Sequence, residues 1–220
     1  MGKTIAIDGP SASGKSTVSK AVAAELGIIY VDSGALYRGI TWQVLRKGVD
    51  ATDAAAVIDC MENADWDFFV NDGAATFSVD GDVPVQELRE KEVRENVANV
   101  AVIPEVRTFV VESLQALENF GSLVMEGRDI GTVVFPDSPY KFYLDADPEE
   151  RAMRRYRELV EAGESEKAEE VMESLKKRDQ IDSTRKKDPL TVAPGAQVID
   201  STSMALEAVI QTVIDAVKED

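Results

Sequence analysis

A buried strand that runs into Gly9-Pro10-Ser11-Ala12-Ser13-Gly14-Lys15-Ser16-Thr17 constrains this chain more than any other feature. The nine residues satisfy G-x-x-x-x-G-K-[ST], a match expected by chance in roughly 1% of chains this long at ordinary glycine usage. The context agrees. Residues 4–8 form a short apolar run rich in β-branched residues that leads into the loop, and a helical pattern over 17–26 leaves it and stops at Gly27. Glycines let backbone N–H groups curl around a polyphosphate, and the helix N-terminus adds positive potential. Lys15 is then expected to reach the β- and γ-phosphates of a nucleoside triphosphate, and the Ser16 hydroxyl to ligate Mg²⁺. The loop does not say what accepts the phosphate.

The pattern beyond the loop reads as a parallel α/β sheet: a strand at 28–31, then a helix at 35–46 ending before Gly48. The middle differs. Residues 66–70 and 75–79 read as strands, with Asp80-Gly81 as a hairpin turn ahead of Val83-Pro84-Val85 and Pro84 on an edge. A small antiparallel β lobe, separate from the parallel sheet, is expected over about 62–88. Helices follow at about 92–102 and 105–119, the second with Val106, Phe109, Val110, Leu114 and Leu117 on one stripe. Residues 122–125 and 140–144 read as buried strands, 148–162 and about 165–182 as charged helices, and 197–199 as a last strand. The final helix carries Leu206, Val209, Ile210, Val213, Ile214 and Val217 at i, i+3, i+4 spacing.

Composition removes several chemistries. With 24 Lys+Arg against 41 Asp+Glu the formal charge is −17, which opposes binding to nucleic acid or an anionic membrane through the overall field. There is no His, so His metal ligands, His general bases and Ser-His or Cys-His pairs are excluded. A single Cys60 excludes an intramolecular disulfide framework and cysteine-rich zinc sites. No apolar run approaches the roughly 20 residues that span a bilayer. Met1-Gly2-Lys3-Thr4 enters the first strand without a signal-like apolar region, so the expected location is cytoplasmic. Residues 151–187 hold 11 basic and 9 acidic side chains, a net +2 that leaves −19 on the remainder. Two readings stay open for that segment: solvated helices laced with i,i+4 ion pairs, or a locally basic lid over an anionic substrate.

Three further clusters carry potential chemistry. Asp32-Ser33-Gly34 follows the second strand, with Tyr37 and Arg38 one helical turn on. Asp32 or Ser33 is then either a helix cap or part of a cleft at the sheet's carboxyl edge. Gly127-Arg128-Asp129 ends a buried strand, where an Arg and an Asp are expensive unless used; a surface ion pair is the alternative. Glu126, just before them, has the place of an acid that holds Mg²⁺ through water. Arg178, Asp182 and Arg185 stand at i, i+4 and i+7. They form either a self-satisfied ladder or two planar forks for phosphate with one carboxylate for sugar hydroxyls.

Taken together, these motifs resemble the bacterial cytidylate (CMP) kinases, within the nucleoside monophosphate kinase group of P-loop NTPases. The resemblance is carried by the loop at 9–17, Asp-Ser-Gly-Ala-Leu-Tyr-Arg at 32–38, Pro-Glu-Val-Arg at 104–107, Gly-Arg-Asp-Ile-Gly-Thr-Val-Val-Phe-Pro at 127–136 and Arg-x-x-x-Asp-x-x-Arg at 178–185. They stand in family order and cover nearly the whole chain, and the β lobe resembles the insert of the bacterial enzymes. The resemblance implies a three-layer α/β/α fold with a parallel five-stranded sheet, a small antiparallel β insert in the acceptor lobe and a helical lid. One kinase domain over 1–220 follows, with its core at 1–61, 92–148 and 188–220, the insert at about 62–91 and the lid at about 149–187.

The resemblance also implies roles. Gly9, Pro10, Ser11, Ala12, Ser13, Gly14, Lys15, Ser16 and Thr17 would bind ATP, with Arg151 and Arg155 (and Arg154 a further lid arginine) over its phosphates. Ser33, Tyr37, Arg38, Arg107, Arg128, Asp129, Arg178, Asp182 and Arg185 would bind CMP, Arg128 and Asp129 reading the cytosine edge and Arg178 and Asp182 the sugar. Lys15, Arg107, Arg128 and Arg185 would serve catalysis, and Ser16 and Glu126 (through water) the Mg²⁺. The reaction implied is MgATP + CMP → ADP + CDP in a monomer whose partners are ATP and CMP or dCMP. A phosphate monoester, with a second pKa of about 6, attacks without a general base, which suits a chain lacking His. The acceptor lobe and lid would close to exclude water. Where the family often has a Ser nine residues before the acceptor-site Arg, this chain has Ala98. A kinase of the same fold acting on UMP, dTMP or shikimate is the nearest alternative. A nucleotide-binding switch is more distant, since a guanine-reading Asn-Lys-x-Asp is absent.

Overall fold

β1 (Thr4–Asp8) is buried at all five positions, as an apolar run in the interior of an α/β protein must be. The computed structural model that shows this describes residues 2–163, 165 and 167–218. The chain divides into two units, one formed by 1–3 and 27–123 and the other by 4–26 and 124–220.

In the second of these, β1 lies between β5 (Leu123–Gly127, all but its first residue in this unit) and β6 (Tyr140–Asp145), and β7 (Gln197–Asp200) follows β6. β1 and β6 run parallel, Ile5 opposite Tyr140 and Asp8 opposite Tyr143; β6 and β7 are parallel too. Parallel neighbours need crossover connections, and the helices supply them. α1 (Lys15–Leu26) packs against α8 (Leu206–Lys218), which buries Val209, Val213, Ile214 and Val217. Leu206 is exposed, so the apolar stripe of α8 is narrower than its sequence suggests.

α6 (Pro148–Glu161) starts where the Asp147 carboxylate accepts from Glu149 N and Glu150 N, with Pro148 in the first turn. α7 (Ala168–Thr184) packs on it through Ala152, Leu159, Val171 and Leu175. Arg185 leaves the helix at φ −59°, ψ 143°. The expected three-residue face therefore holds for Arg178 and Asp182 but not for Arg185. The Ser183 and Thr184 hydroxyls bond back to the Asp179 and Gln180 carbonyls, a competing pattern that unsettles a helix end.

In the unit of 27–123, β2 (Ile29–Asp32), β3 (Trp66–Asn71) and β4 (Ala74–Val79) lie in the order β3-β4-β2. β3 and β4 are antiparallel as expected, but β4 also pairs in parallel with β2 at Tyr30–Ala74. The insert is thus no separate lobe, because the outer edge of β4 needs partners that β2 supplies. The turn between β3 and β4 is Asp72-Gly73, and Asp80-Gly81 is a second tight turn, as expected. Both dipeptides have the positive φ values a tight turn needs: 48° and 75° in the first, 52° and 82° in the second. The second closes a lone bridge, Val79 to Asp82, and 83–85 form no strand, since Pro84 has no N–H to give.

α2 (Ser33–Arg46) is the hub of this unit, packed against α3 (Ala54–Glu62), α4 (Lys91–Ala101) and α5 (Pro104–Ala116). The sequence reading had no helix at α3. Its signals are the Asp53 cap, which accepts from Ala56 N, and the buried pair Val57 and Met61 at i, i+4. Gln43 Nε2 donates to Asp80 at 2.8 Å, and Arg46 and Lys47 pair with the same carboxylate, so the end of β4 is tied to α2.

A Cβ at Gly39 of α2 would overlap the Phe77 ring. Phe77 is buried, and Trp66 and Phe68 flank it at 5.7 and 6.4 Å between centroids, which leaves it little room to withdraw. Gly39→Ala is expected to cost about 1–3 kcal/mol, with part of the loss recovered when Phe77→Leu is added. Urea melts of the two variants measure this; a Gly39→Ala protein as stable as the wild type would contradict it.

Candidate active site

The phosphate-type loop between β1 and α1 is built from backbone angles that few residues tolerate. Gly9 has φ 151° and Gly14 φ 93°, and a Cβ on Gly9 would overlap the Leu144 carbonyl of β6. Ala12, without a glycine's freedom, is held at φ 60°. α1 begins at Lys15, two residues earlier than its apolar pattern suggests, so the loop ends at a helix N-terminus. Ser16 and Thr17 are exposed on that first turn, while Ser11, Ser13 and Lys15 are buried.

Lys15 Nζ donates to the Pro10 carbonyl at 2.6 Å and lies 3.4 Å from Ser13 Oγ. Burial pushes its ammonium down from 10.5 to about 7. The Arg128 charge adds to the fall, and Glu126 and Asp8 oppose it. Glu126 is itself buried near the end of β5.

Asp8, the last residue of β1, was missed from the sequence. Its two oxygens accept from Ile130 N at 2.8 Å and Gly131 N at 2.7 Å, which fixes the turn Ile130–Val134 beside the loop. Burial raises its carboxyl from 3.8 to about 6 against the pull of these hydrogen bonds. The signal was present: an acid closing a wholly apolar strand is as costly as the Arg and Asp after β5.

Arg128, Asp129, Asp182 and Arg185 come together in one network. Arg128 Nε donates to Asp182 Oδ2 at 2.8 Å and its Nη2 to Ser11 Oγ at 2.7 Å. Burial disfavours the Arg128 charge, but the Asp182 carboxylate more than offsets it, so its pKa lies above the ordinary value. For Asp182, burial acts upward, while Arg128 and then Arg178 draw it below the usual range. Arg185 Nη2 reaches Asp129 at 3.2 Å and Nη1 stands 3.9 Å from Asp182. Asp129 and Arg185 are both nearly inaccessible, so the surface ion pair is ruled out. Arg178 is exposed on α7 but close enough for its charge to act on Lys15 and Asp182.

The arginines of α6 divide. Arg151 is buried, its Nη1 on the Ser11 carbonyl at 3.0 Å and on Asp179 at 2.6 Å, its Nε on the Ala146 carbonyl. Arg154 bonds the Ser201 carbonyl at 2.7 Å. Arg155 pairs with Glu158 on its own helix, outside the Ser11–Arg128 network.

The unit of 27–123 holds a second group. Asp32 caps α2 by accepting from Ala35 N at 3.1 Å and pairs with Arg38 at 2.7 Å, so the cap serves also as an arginine holder. Ser33 is buried at the head of the helix. Arg107 of α5 is 1% exposed, stands 5.7 Å from the Tyr37 ring centroid and donates to the Ala101 carbonyl. Ala98 of α4 is half-buried.

A glycine-bearing loop that ends at a helix N-terminus, a buried lysine and clustered arginines suit stabilisation of phosphoryl charge. Known proteins agree. The family model described as Cytidylate kinase matches residues 5–219. A curated cytidylate kinase of Clostridioides difficile (strain 630) is 44% identical over 213 residues, 97% of each chain. One from Mycobacterium leprae (strain Br4923) is 42% identical, covering 98% of this chain and 95% of its own. Among solved structures, an uncharacterized protein from Eubacterium ventriosum ATCC 27560 shares the fold at TM-score 0.54 and 11% identity, with 99% of each chain covered.

The lowered Lys15 value has a consequence for stability. Between pH 7 and 10.5 the unfolded chain binds a proton on Lys15 that the folded chain does not, so stability from this group rises with pH across that window. Below pH 7 both states are charged and the dependence vanishes. From pH 7 to 9.5 the wild type is expected to gain on the order of 2 kcal/mol over Lys15→Met in urea melts. A pH-independent gap would mean that the ammonium is not desolvated as described.

Proposed function

The chain belongs to the cytidylate kinase family, and we propose that it transfers the γ-phosphoryl group of ATP to CMP and dCMP, leaving ADP and the nucleoside diphosphate. The observation that carries this reading is the continuous set of contacts from the phosphate-type loop at Ser11 through Arg128 to Asp182. A loop that bound a triphosphate alone would not need a carboxylate-bearing helix joined to it.

In this reading the loop N–H groups and Lys15 hold the ATP phosphates, and Arg155 adds charge from α6. Arg107, Arg128 and Arg185 offset the charge of the acceptor and transferring phosphates. Arg128 and Asp129 read the cytosine edge, Arg178 and Asp182 the sugar hydroxyls, and Ser33, Tyr37 and Arg38 complete the CMP contacts. The acceptor phosphate is mostly dianionic at neutral pH and attacks in line without a base. Catalysis is then positioning and charge stabilisation.

The exposed Ser16 hydroxyl and the buried Glu126 carboxylate are hard oxygen donors. The described residues contain no group of three or more His, Cys, Asp or Glu able to hold a metal by themselves. That donor set fits Mg²⁺, which keeps water and phosphate among its ligands. Bound there, the ion would neutralise charge on the β- and γ-oxygens. No helix among the described residues is long and apolar enough to cross a membrane. We place the enzyme in the cytoplasm as a monomer.

A coupled ADP-release assay across CMP, dCMP, UMP and AMP tests the acceptor. CMP and dCMP are expected to turn over well, UMP at least about tenfold less efficiently and AMP about 10³-fold less, because a mismatched base leaves buried polar groups unpaired. Equal turnover of AMP and CMP would sink the reading. Lys15→Ala is expected to lose about 10²-fold or more in kcat with the fold retained.

Ala98→Ser supplies a hydroxyl at the position where the resemblance expects one. If it reaches the base, KM for CMP falls several-fold, about 0.5–1.5 kcal/mol for one neutral hydrogen bond, while KM for ATP stays constant. An unchanged KM for CMP would leave cytosine to be read by Arg128 and Asp129.

A further inference from the structure

Ser11, the third residue of the loop, meets two arginines at once. Its hydroxyl accepts from Arg128 Nη2 at 2.7 Å and its carbonyl from Arg151 Nη1 at 3.0 Å. Each arginine carries the contact on to α7. Arg128 Nε donates to Asp182 at 2.8 Å, and Arg151 Nη1 donates to Asp179 Oδ2 at 2.6 Å. Asp179 and Asp182, three residues apart, share one face of that helix. A single nitrogen of Arg151 therefore touches both the loop backbone and a helix carboxylate. Its Nε is held by the Ala146 carbonyl at 3.0 Å, and the side chain is 7% exposed, so the arginine has little slack.

Asp179 has no part in the substrate contacts assigned above, yet it is costly. Its second oxygen, Oδ1, is buried and makes no hydrogen bond among the described residues. A carboxylate with half its accepting capacity unmet is a poor choice for a brace between α6 and α7, because apolar side chains hold such helices together at less cost. What an apolar side chain cannot do is pull on the Arg151 guanidinium and, through it, on the Ser11 carbonyl.

We propose that Asp179 is a positioning residue which, acting through Arg151 on Ser11, makes ATP binding at the loop and CMP binding at α7 favour one another. This rests on the assignment of the loop to ATP and of α7 to CMP made under Proposed function. ATP phosphates that order the loop set Ser11. Ser11 sets Arg151 and Arg128 together, and these hold Asp179 and Asp182 at the spacing that CMP meets. Ordering done by the first ligand is not required again of the second.

Titration calorimetry tests this on the full chain. CMP is titrated alone and with a non-hydrolysable ATP analogue, for wild type, Asp179→Asn and Arg151→Lys. In the wild type CMP is expected to bind about tenfold more tightly with the analogue present, and the analogue to gain the same factor from CMP. Asp179→Asn should keep the CMP affinity measured alone within about threefold while the coupling falls below about twofold. Arg151→Lys keeps the charge but has no second nitrogen to take the place of Nε on the Ala146 carbonyl, which aims Nη1 at Ser11 and Asp179, so it should lose the coupling even if the other variant does not fold. The double variant should lose no more than either single one.

A wild-type coupling factor near one overturns the proposal, as does full coupling in a folded single variant. A lowered melting temperature with coupling intact marks a structural brace and overturns it equally. Failure of the wild type to phosphorylate CMP would defeat the functional reading, and this proposal with it. Normal CMP turnover without coupling defeats the proposal alone.

Discussion

A lysine ammonium buried inside its own loop is the constraint around which residues 4–26 and 124–220 are arranged. Desolvation brings Lys15 to the edge of losing its charge at neutral pH, and what keeps it near that edge is a set of neighbours of both signs. Asp8 and Glu126 favour the charged form; Arg128 and Arg178 oppose it. Phosphate oxygens brought to the loop would shift that balance decisively toward the ammonium. The position that makes Lys15 unstable as an isolated charge is also the one in which it interacts most strongly with anions, because little water screens it.

The same unit carries its ion pairs in pairs of opposite duty. Arg128 with Asp182 and Arg185 with Asp129 each join a residue following β5 to the region of α7. Pairs this deeply placed contribute little net stability, since the desolvation of both partners consumes most of the attraction. Their value is directional. A planar guanidinium accepts only a few geometries, so each pair fixes where the next polar group can stand. The basic excess over 151–187 is accordingly not one feature. Arg151 and Arg185 are buried and paired, while Arg155 forms a surface i, i+3 pair with Glu158. The solvated-helix reading describes Arg155 but not Arg151 or Arg185, which are interior residues paired with carboxylates.

In the unit of 27–123, α2 does the organising. Asp32 ends β2, caps α2 and holds Arg38, so one carboxylate decides where the strand stops and where an arginine points. At the other end of the helix, Gln43 and Arg46 seize Asp80 as β4 ends. Gly39 lets Phe77 lie against the helix midway between. Of the arginines that the proposed chemistry requires, Arg38 is held by Asp32 at the head of this helix, and Arg107 of α5 faces its Tyr37 ring.

Local chemistry made much of this legible in the sequence. The loop motif, the buried strands around it and the helix after it follow from short-range rules: glycine freedom, apolar runs and the 3.6-residue period; Arg107 and the arginines of α6 were marked only by the resemblance to a family. Asp8 was legible by the same reasoning and was overlooked. Tertiary structure alone decided three things. It built a full ladder on Asp72-Gly73 and a lone bridge on Asp80-Gly81, although both have suitable residues, because only the first is flanked by two strands that pair. It drew the insert alongside β2, because an open strand edge takes whatever backbone lies beside it. It also decided which charges are buried in pairs and which face water. Arg151 and Arg155 lie four residues apart on one helix, and only the carbonyls and carboxylates that other segments bring to Arg151 make it an interior residue.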